Sequence, residues 1–295
     1  MAERRWRTRI VVALGVGSML GVVAFLGGAT GAAAATPAGT PTSASPSTTP
    51  PGAFVPPAFP VSEGPLSVGS TTQATSRNWD GYATLPSSTS PTFGAVSATW
   101  VQPTVTCEAT QAWTVFWVGL DGWNDGTVEQ GGSSAYCPTA GGPATYQLWW
   151  EMYPTNAIQT VLTIAAGDTI HAVVTYEPAT SDFVIRVRDV TSGKGFTRTE
   201  LCGPGSACDR TSAEVITEDV GHYSSGATTY FPLADYAKMH YGAVNVVDAS
   251  GVKGPISDTA WNDAAITERS GGVTYATVSK LFGGGHGFNT IWKHE

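Results

Sequence analysis

One glutamine and one glutamate indicate the chemistry of this chain. Gln130 lies in the segment Gly126–Gly132 and Glu218 lies in the segment Ser212–Asp219, and both segments have the composition of β-strands. A strand that packs on a core would carry apolar side chains at these positions, so the polar groups need another explanation. A carboxylate can take a proton from water, and an amide can donate to an oxyanion. Together the two side chains would form a minimal hydrolytic pair.

Two other segments carry aromatic rings and polar groups on one face. Side chains alternate along Trp113–Asp121 and along Tyr146–Pro154, as they do in β-strands. The faces of interest include Trp117, Asp121, Trp149, Glu151 and Tyr153. A face of this kind is neither an apolar core nor an ordinary solvated surface. It suits the floor of a groove that binds an extended polymer.

The elements that position these residues are predicted to be β-strands. Period-two alternation predicts strands at Val96–Gln102, Trp113–Leu120, Tyr146–Tyr153, Thr160–Ala165, Thr169–Tyr176, Phe183–Val190, Ala213–Val220 and Gly272–Leu281. Only Leu233–His240 has the composition of a short helix. Because strands do not alternate with helices along the chain, the sequence predicts an all-β antiparallel sandwich.

The first quarter of the 295-residue chain does not have the composition of a globular domain. Four arginines precede an apolar stretch that begins at Ile10, and Ala32–Ala35 follows it, which predicts a signal peptide over residues 1–35 and secretion. An uncleaved membrane anchor is the alternative, because the stretch is nearly long enough to span. Residues 36–70 are rich in Pro, Thr and Ser and are predicted to form a linker or short pro-segment. Residues 71–295 are predicted to form one domain.

The charge of the chain argues against two classes of partner. The chain has 15 basic and 23 acidic residues, and removal of residues 1–35 leaves 11 and 22, a net charge of −11. No basic cluster remains, so we expect no nucleic acid partner and, after signal cleavage, no membrane partner. Charged residues make up 13% of the chain, about half of the usual share. Little charge is then gained or lost as the pH changes, which suits a protein that works in acid.

Four cysteines lie in the part of the chain that is predicted to be exported: Cys107, Cys137, Cys202 and Cys208. In an oxidising compartment they are predicted to form two disulfides. Of the three possible connectivities, Cys107 with Cys137 and Cys202 with Cys208 is favoured, because the second pair brackets a tight glycine- and proline-containing loop.

The sequence shows no sign of a metal or cofactor site. No cysteine pair has the C-x-x-C spacing, the five histidines are scattered, and an H-E-x-x-H motif is absent. Phosphate-binding glycine motifs are absent too, as is the G-x-S-x-G motif of serine hydrolases. We therefore expect chemistry without a metal, a cofactor or a covalent nucleophile.

Five motifs occur in an order that resembles the glutamic peptidases, also called eqolisins. They are Asn78–Gly81, Phe116–Gly122, Glu129–Gly131, Tyr146–Pro154 and Ala213–Asp219. Each motif is weak alone, but five in order at compatible spacings, over about residues 78–280, are a specific signal. The resemblance implies a concanavalin-like sandwich of two curved antiparallel sheets, with the active site on the concave face of one sheet.

The resemblance also implies a function and assigns roles to single residues. It implies an acid endopeptidase that acts on polypeptides, with Gln130 and Glu218 as the catalytic dyad. The groove-lining and supporting roles fall on Trp117, Asp121, Trp149, Glu151 and Tyr153. We expect this enzyme to be a monomer.

The chain departs from its apparent relatives in two places that bear on regulation and stability. The fungal members carry a disulfide in the loop after the W-V-G-x-D-G motif, and the segment Asp121–Gln130 has no cysteine. Their long basic pro-segments are thought to block an acidic cleft, whereas residues 36–70 contain no basic residue. Inhibition by such a charge-based mechanism is therefore not expected.

Two alternatives from other functional classes also fit an aromatic groove. A secreted β-sandwich glycoside hydrolase could use Glu218 with Glu214 or Glu151 as its paired carboxylates. A non-catalytic carbohydrate-binding module behind a Pro- and Thr-rich linker is the other alternative. Cleavage of an unfolded protein in acid would distinguish the peptidase from both.

Overall fold

Strands form nearly all of the regular structure in a computed structural model that describes residues 71–203, 208–224 and 227–294. The strands of this described part are β1 Thr71–Ser76, β2 Trp79–Leu85, β3 Phe93–Val101, β4 Ala112–Leu120, β5 Val128–Cys137, β6 Thr145–Tyr153, β7 Asn156–Ile164, β8 Thr169–Glu177, β9 Asp182–Asp189, β10 Gly195–Leu201, β11 Ala213–Asp219, β12 Gly221–Ser224, β13 Ala227–Tyr230, β14 Lys238–Asp248, β15 Lys253–Gly254, β16 Asn262–Ser270, β17 Val273–Val278 and β18 Phe288–Trp292. One 3₁₀ turn covers Gly283–Gly285. The predicted segments 1–35 and 36–70 lie outside the described residues.

The helix predicted at Leu233–His240 is wrong. Strand β14 begins at Lys238, and the residues before it form an extended connection. The carbonyl groups of this connection are used by other elements: the Asp235 carbonyl accepts from the Thr106 amide at 2.8 Å, and the Ala234 carbonyl accepts from the Thr114 hydroxyl at 3.2 Å. Carbonyls that accept from distant strands cannot accept within a helix, so tertiary contacts override the local preference.

The strands form a curved antiparallel sandwich, as predicted. One layer has the strand order β7-β6-β5-β4-β11-β2-β16, and the other has the order β10-β9-β8-β3-β14. Strands β17 and β18 connect β16 of the first layer to β14 of the second. Contacts between β3 and β4 and between β5 and β8 bring the layers face to face. One strand departs from the antiparallel pattern, since β1 pairs with β16 in parallel.

The two faces of the first layer have different environments. The face toward the second layer contributes Phe116, Val118, Leu148 and Val215 to a large apolar core. The opposite face holds a second buried cluster that is rich in tryptophan, which includes Trp79, Trp113, Trp117 and Trp149. Because side chains alternate along a strand, this tryptophan-rich face is the one that also carries the polar candidates.

Both predicted disulfides are confirmed. Cys107 is bonded to Cys137, and Cys202 is bonded to Cys208. The first bond joins the loop after β3 to the end of β5. Within the described residues, none of the helical segments is long and apolar enough to cross a membrane.

Candidate active site

Strand register places the candidate residues on one face of four adjacent strands. β11 lies beside β4, β4 lies beside β5, and β5 lies beside β6. Across these strands Glu218 is paired with Val115, and Gln130 is paired with Gly119 on one side and with Glu151 on the other. Alternation then directs Glu218, Gln130 and Glu151 to the tryptophan-rich face, so the two members of the predicted dyad share a face.

The Glu218 carboxylate is held by donors at both of its oxygens. Trp117 donates from Nε1 to Oε2 at 2.8 Å, and Asn78 donates from Nδ2 to Oε1 at 2.7 Å. The carboxylate is fully buried. Burial is the largest effect and raises the pKa of Glu218 well above its usual value, while the Trp117 hydrogen bond opposes that rise and nearby Asp219 and Glu151 add to it. The two donors fix the orientation of the carboxylate and favour its charged form.

Asn78 is a site residue to which the sequence reasoning assigned no role. It precedes β2, and its amide nitrogen and that of Trp79 approach the Ser76 hydroxyl at 3.4 and 3.1 Å. These bonds fix the turn between β1 and β2, so the Asn78 side chain points toward Glu218. The signal in the sequence was the motif Asn78–Gly81, but its partner lies 140 positions away.

Gln130 is held by a different carboxyl group. Its Nε2 donates to Oε2 of Glu151 at 2.8 Å, and its Oε1 has no hydrogen-bond partner. Burial, the largest effect, raises the pKa of Glu151, and the Gln130 hydrogen bond lowers it. Glu151 therefore fixes the direction of the Gln130 amide, which leaves its second N–H available to a substrate oxygen.

Register also separates the two members of the dyad along the strands. Gln130 is level with Glu214, across Gly119, whereas Glu218 lies four residues further along β11. A Cβ atom at Gly119 would approach Cζ3 of Trp117 to 2.8 Å and Cβ of Gln130 to 3.2 Å. The absence of a side chain at Gly119 therefore leaves room for the Trp117 ring, which packs over this position beside Gln130.

Glu214 differs from Glu218 in its hydrogen bonds. Both of its oxygens are buried and neither accepts a hydrogen bond of normal geometry, although the Ser212 hydroxyl lies near enough to affect the pKa. Burial, the largest effect, raises the pKa of Glu214 well above its usual value, the Ser212 hydroxyl opposes the rise, and nearby Asp121 adds to it. Glu214 is therefore suited to stay protonated over a wide pH range.

Asp121, predicted to line the groove, holds a loop in the structure. Its Oδ2 and Oδ1 accept from the backbone amides of Arg210 and Thr211 at 2.8 and 2.7 Å. Burial, the largest effect, and the neighbouring Asp125 raise the pKa of Asp121 to about 7. Asp125 also accepts from the Thr211 hydroxyl at 3.1 Å. These bonds connect the loop after β4 to the segment before β11, which is where the fungal relatives were expected to differ by a disulfide.

The other groove candidates lie on the expected face. Trp117 is buried and its Nε1 is engaged with Glu218, so it positions the carboxylate. Trp149 is buried on the same face. It is paired with Gly132 of β5, which is paired in turn with Trp117 of β4. Tyr153 packs against the same cluster and is half-buried. Direct contact of these rings with a substrate stays a prediction.

In the part of the chain that is described, no cluster of three or more His, Cys, Asp or Glu side chains could hold a metal ion. The acids of this face point to separate partners, as the Glu218 and Glu151 hydrogen bonds show. The held Glu218 carboxylate can transfer a proton, and the held Gln130 amide can donate to a developing negative charge.

Comparison with known proteins gives consistent results. The model of the peptidase A4 family matches residues 77–282, about seven tenths of the chain. A comparison with the curated proteins found no match. A solved structure of scytalido-glutamic peptidase with a transition-state analog inhibitor is similar, with a TM-score of 0.62 and 23% identity over 74% of this chain and 98% of that one.

Two further structures have the same fold. SCP-B, described as a member of the eqolisin family in a complex with the tripeptide Ala-Ile-His, has a TM-score of 0.60 and 22% identity over 74% of this chain and 98% of its own. The aspergilloglutamic peptidase from Aspergillus niger has a TM-score of 0.51 and 23% identity over 62% of this chain and 100% of its own. At these identities the structural likeness establishes the fold, while the family match covers every candidate residue named above.

Proposed function

This chain belongs to the peptidase A4 family, and from that premise we propose that it is a secreted acid endopeptidase in which Glu218 and Gln130 form the catalytic dyad. The predicted resemblance to the glutamic peptidases is confirmed, and the chain is a peptidase. The observation that carries the proposed dyad is the Glu218 carboxylate, which two neutral donors hold on the face that also presents the Gln130 amide.

In the proposed mechanism Glu218 acts first as a general base. As a carboxylate it takes a proton from a water molecule, and that water attacks the carbonyl carbon of the scissile peptide bond. Trp117 and Asn78 keep the carboxylate oriented during this step, and burial makes it a stronger base. Protonated Glu218 then gives the proton to the leaving amine, so the protons balance and the residue returns to its starting state.

Gln130 stabilises the charge that develops on the carbonyl oxygen. One of its N–H groups is bound to Glu151, and the other is available for the oxyanion of the tetrahedral intermediate. One such donor contributes about 3 kcal/mol to the barrier reduction in hydrolases that use an amide side chain. Glu151 prevents the Gln130 amide from rotating, so the amide loses no further conformational entropy when the substrate binds.

Register places Gln130 and Glu218 four residues apart along the strands. The oxygen and the nitrogen of one peptide bond share a carbon atom, so the proposal requires the Gln130 and Glu218 side chains to converge on a single bond when the substrate binds over Trp117. Gly119 makes room for the Trp117 ring, and Gly132 allows close approach of the β4 backbone at Phe116 and Trp117. Glu214, level with Gln130, is the competing candidate for the base.

Two properties of the chain support activity in acid. The pKa values of Glu151 and Glu214 are raised, so in acid these two carboxyl groups are neutral and cost little to bury. The pKa of Glu218 is raised by burial as well, and the hydrogen bonds from Trp117 and Asn78 favour the ionised form that the mechanism requires. The low share of charged residues, 13%, limits the charge that builds up at low pH. Secretion is supported by the two disulfides, which form in oxidising compartments, and we propose that the secreted enzyme is a monomer.

The deciding experiment is an assay of residues 36–295 on an unfolded protein substrate between pH 2 and pH 7. We expect cleavage that resists metal chelators and reagents for serine and cysteine nucleophiles. Glu218→Gln should lower kcat by about 10³-fold and Gln130→Ala by about 10²-fold, with unchanged circular dichroism spectra. Retention of most activity in either folded variant would refute the dyad. Release of reducing sugar from a β-glycan, without proteolysis, would favour the glycoside hydrolase alternative, against which the family match speaks.

A further inference from the structure

A cavity of about 390 Å³ lies at the end of β11 and is lined in part by Tyr230, whose phenol is close enough to Glu218 for that carboxyl group to affect its pKa. Asp219, the residue that follows Glu218, forms part of its wall. Phe231 and Leu233 contribute apolar surface on another side. This volume falls in the range of small-molecule sites, so it is large enough for one amino-acid side chain. The proposed mechanism does not use it.

The polar groups of the cavity wall are mostly hydrogen-bond donors. Arg77, Tyr230, Ser270 and Tyr275 line it together with Asp219. Arg77 is exposed, and no hydrogen bond or ion pair joins its guanidinium to another residue that the structure describes. An unpaired arginine is unusual beside so many carboxyl groups, since the rest of the active-site face is acidic. A planar guanidinium with free donors is well matched to a carboxylate.

Asp219 is the one acid in the cavity wall, and it has unused hydrogen-bonding capacity. It is 6% exposed, and its Oδ1 has no hydrogen-bond partner. Burial, the largest effect, raises the pKa of Asp219 well above its usual value. In acid this carboxyl group is therefore neutral and can act as a donor, so it does not repel an anion.

Other charged groups reach the cavity from the neighbouring strands. The phenol of Tyr230 is close enough to Asp219, Arg77, Glu218 and Glu268 for all four to affect its pKa, which burial raises to about 12. Glu268, on β16, also has a raised pKa because of burial. With Asp219 neutral in acid, Arg77 is the one permanently charged side chain among the residues that line the cavity. That charge is positive.

We propose that this cavity is a substrate subsite, on the Glu218 side of the scissile bond, that binds a carboxylate of the substrate peptide. The inference rests on the proposed function and adds to it the class of side chain that the site selects. The carboxylate comes from an Asp or Glu side chain, whose aliphatic part packs on Phe231 and Leu233, or from a free C-terminus. In both cases Arg77 forms the ion pair and the tyrosine and serine hydroxyls complete the hydrogen bonds.

The test uses pairs of peptides that differ by one group. In the first series one position of an amidated peptide is varied at a time, on either side of the scissile bond, and the two members of each pair carry Glu or Gln at that position. In the second series the peptide is shortened to end at successive positions, and each length is made with a free C-terminal carboxylate and with an amide. At pH 5, where a free glutamate side chain is mostly ionised, we expect one position at which the Glu peptide or the free acid has a kcat/KM about tenfold higher than its neutral match.

Variants of this chain connect that preference to the cavity. Arg77→Gln should reduce the ratio of the two kcat/KM values to about one. Tyr275→Phe, which removes one hydroxyl only, should reduce it about threefold. Arg269→Gln, an exposed arginine of β16 that does not line the cavity, is the matched control and should keep the full ratio.

Several outcomes would overturn the subsite. These are the absence of any position with a preference for the carboxylate, an undiminished preference in Arg77→Gln, or an equal reduction in Arg269→Gln. The first peptide series identifies a side-chain carboxylate and the second a C-terminal one. Failure of the proposed function looks different, because then no peptide of either series is cleaved, or Glu218→Gln cleaves them all as well as the unaltered enzyme does.

Discussion

The two ends of β11 carry the same residue type in opposite hydrogen-bonding states. At the end of the strand, both oxygens of Glu218 accept hydrogen bonds from Trp117 and Asn78. Near its beginning, neither oxygen of Glu214 accepts a hydrogen bond of normal geometry, and Asp121 lies near enough to raise the pKa of Glu214. Both side chains are fully buried. Burial raises the pKa of both glutamates, and the hydrogen bonds from Trp117 and Asn78 favour the charged form at Glu218.

The reason lies in what each end contacts. The Glu218 end is surrounded by neutral N–H donors from β4 and from the turn before β2, and these favour a negative charge. The Glu214 end faces the loop after β4, whose Asp121 and Asp125 carboxyl groups add to the rise in the pKa of Glu214, while the Ser212 hydroxyl opposes it. Asp219 and Glu151 have the same raising effect on the pKa of Glu218, so the hydrogen bonds from Trp117 and Asn78 are what distinguish the Glu218 end.

Exchange of Glu218 and of Glu214 for glutamine should give the largest difference between the two ends of β11. Glu218→Gln removes the base and should lower kcat about 10³-fold, whereas Glu214→Gln replaces a neutral carboxyl by a neutral amide and should lower it less than tenfold. Initial rates on an unfolded protein substrate at the pH optimum give both values. If Glu214→Gln proves the more damaging change while folded, the roles are reversed, and the glutamate level with Gln130 is the base.

The dependence of stability on pH tests the Glu214 end of β11, which faces Asp121 and Asp125. Asp121 has a pKa of about 7 in the folded protein and about 3.8 when unfolded, so the native state binds more protons between these values. Its contribution to stability is therefore complete below about pH 4 and is lost as the pH rises through about 7. We expect the free energy of unfolding to fall by at least about 2 kcal/mol over this range. Denaturant titrations at pH 4 and pH 7 measure the loss.

Asp125→Asn is the matched variant for that experiment. Asparagine keeps an oxygen for the amides of Gly122 and Thr127, which approach the Asp125 carboxylate at 2.9 and 3.3 Å, but it removes the charge that raises the Asp121 pKa. The variant should lose about half as much stability between pH 4 and pH 7 as the unaltered protein. An unchanged or steeper loss would show that the Asp121–Asp125 pair is not its source.

The pH profile of activity tests the Glu218 end of β11, where Trp117 and Asn78 donate to the carboxylate. Trp117→Phe removes the hydrogen bond to Glu218 Oε2, and since that bond favours the charged form, the pKa of Glu218 should rise. The acidic limb of the kcat profile should therefore move up by about one pH unit. Trp113→Phe, at a tryptophan of the same buried cluster whose ring packs on Tyr136 and Phe231, is the control and should leave the limb in place. If the acidic limb of the kcat profile does not move in Trp117→Phe, then Trp117 does not favour the charged form of Glu218.

The smallest effect is expected for the hydrogen bond between Asp125, in the loop after β4, and Thr211, in the segment before β11. Thr211→Val removes the hydroxyl that donates to Asp125 Oδ2 and keeps the shape of the side chain. One hydrogen bond to a partly charged group is lost, so the free energy of unfolding should fall by about 1 kcal/mol at pH 5. Urea titration at constant m value measures it. A loss above 3 kcal/mol would mean that this contact organises the whole segment.

Local pattern was sufficient for the strands and for the face of the candidate residues. Alternation along Tyr146–Tyr153 and Ala213–Val220 predicted strands that the structure has at Thr145–Tyr153 and Ala213–Asp219. The same alternation put Gln130, Glu151 and Glu218 on one face once the strands were paired. The prediction failed at Leu233–His240, because the helical composition there competes with hydrogen bonds to distant strands.

The composition and the order of motifs in the sequence determined the all-β class, the peptidase family and the identity of the polar groups on the tryptophan-rich face. Only the tertiary structure decided which of those groups meet. The donors to Glu218 come from positions 140 and 101 residues away, and the Asp121 carboxylate is bound to amides about 90 positions later. Hydrogen bonds act over about 3 Å, whereas sequence patterns report only on neighbours along one strand. The charge state of each buried carboxyl group is therefore a property of the assembled sheet.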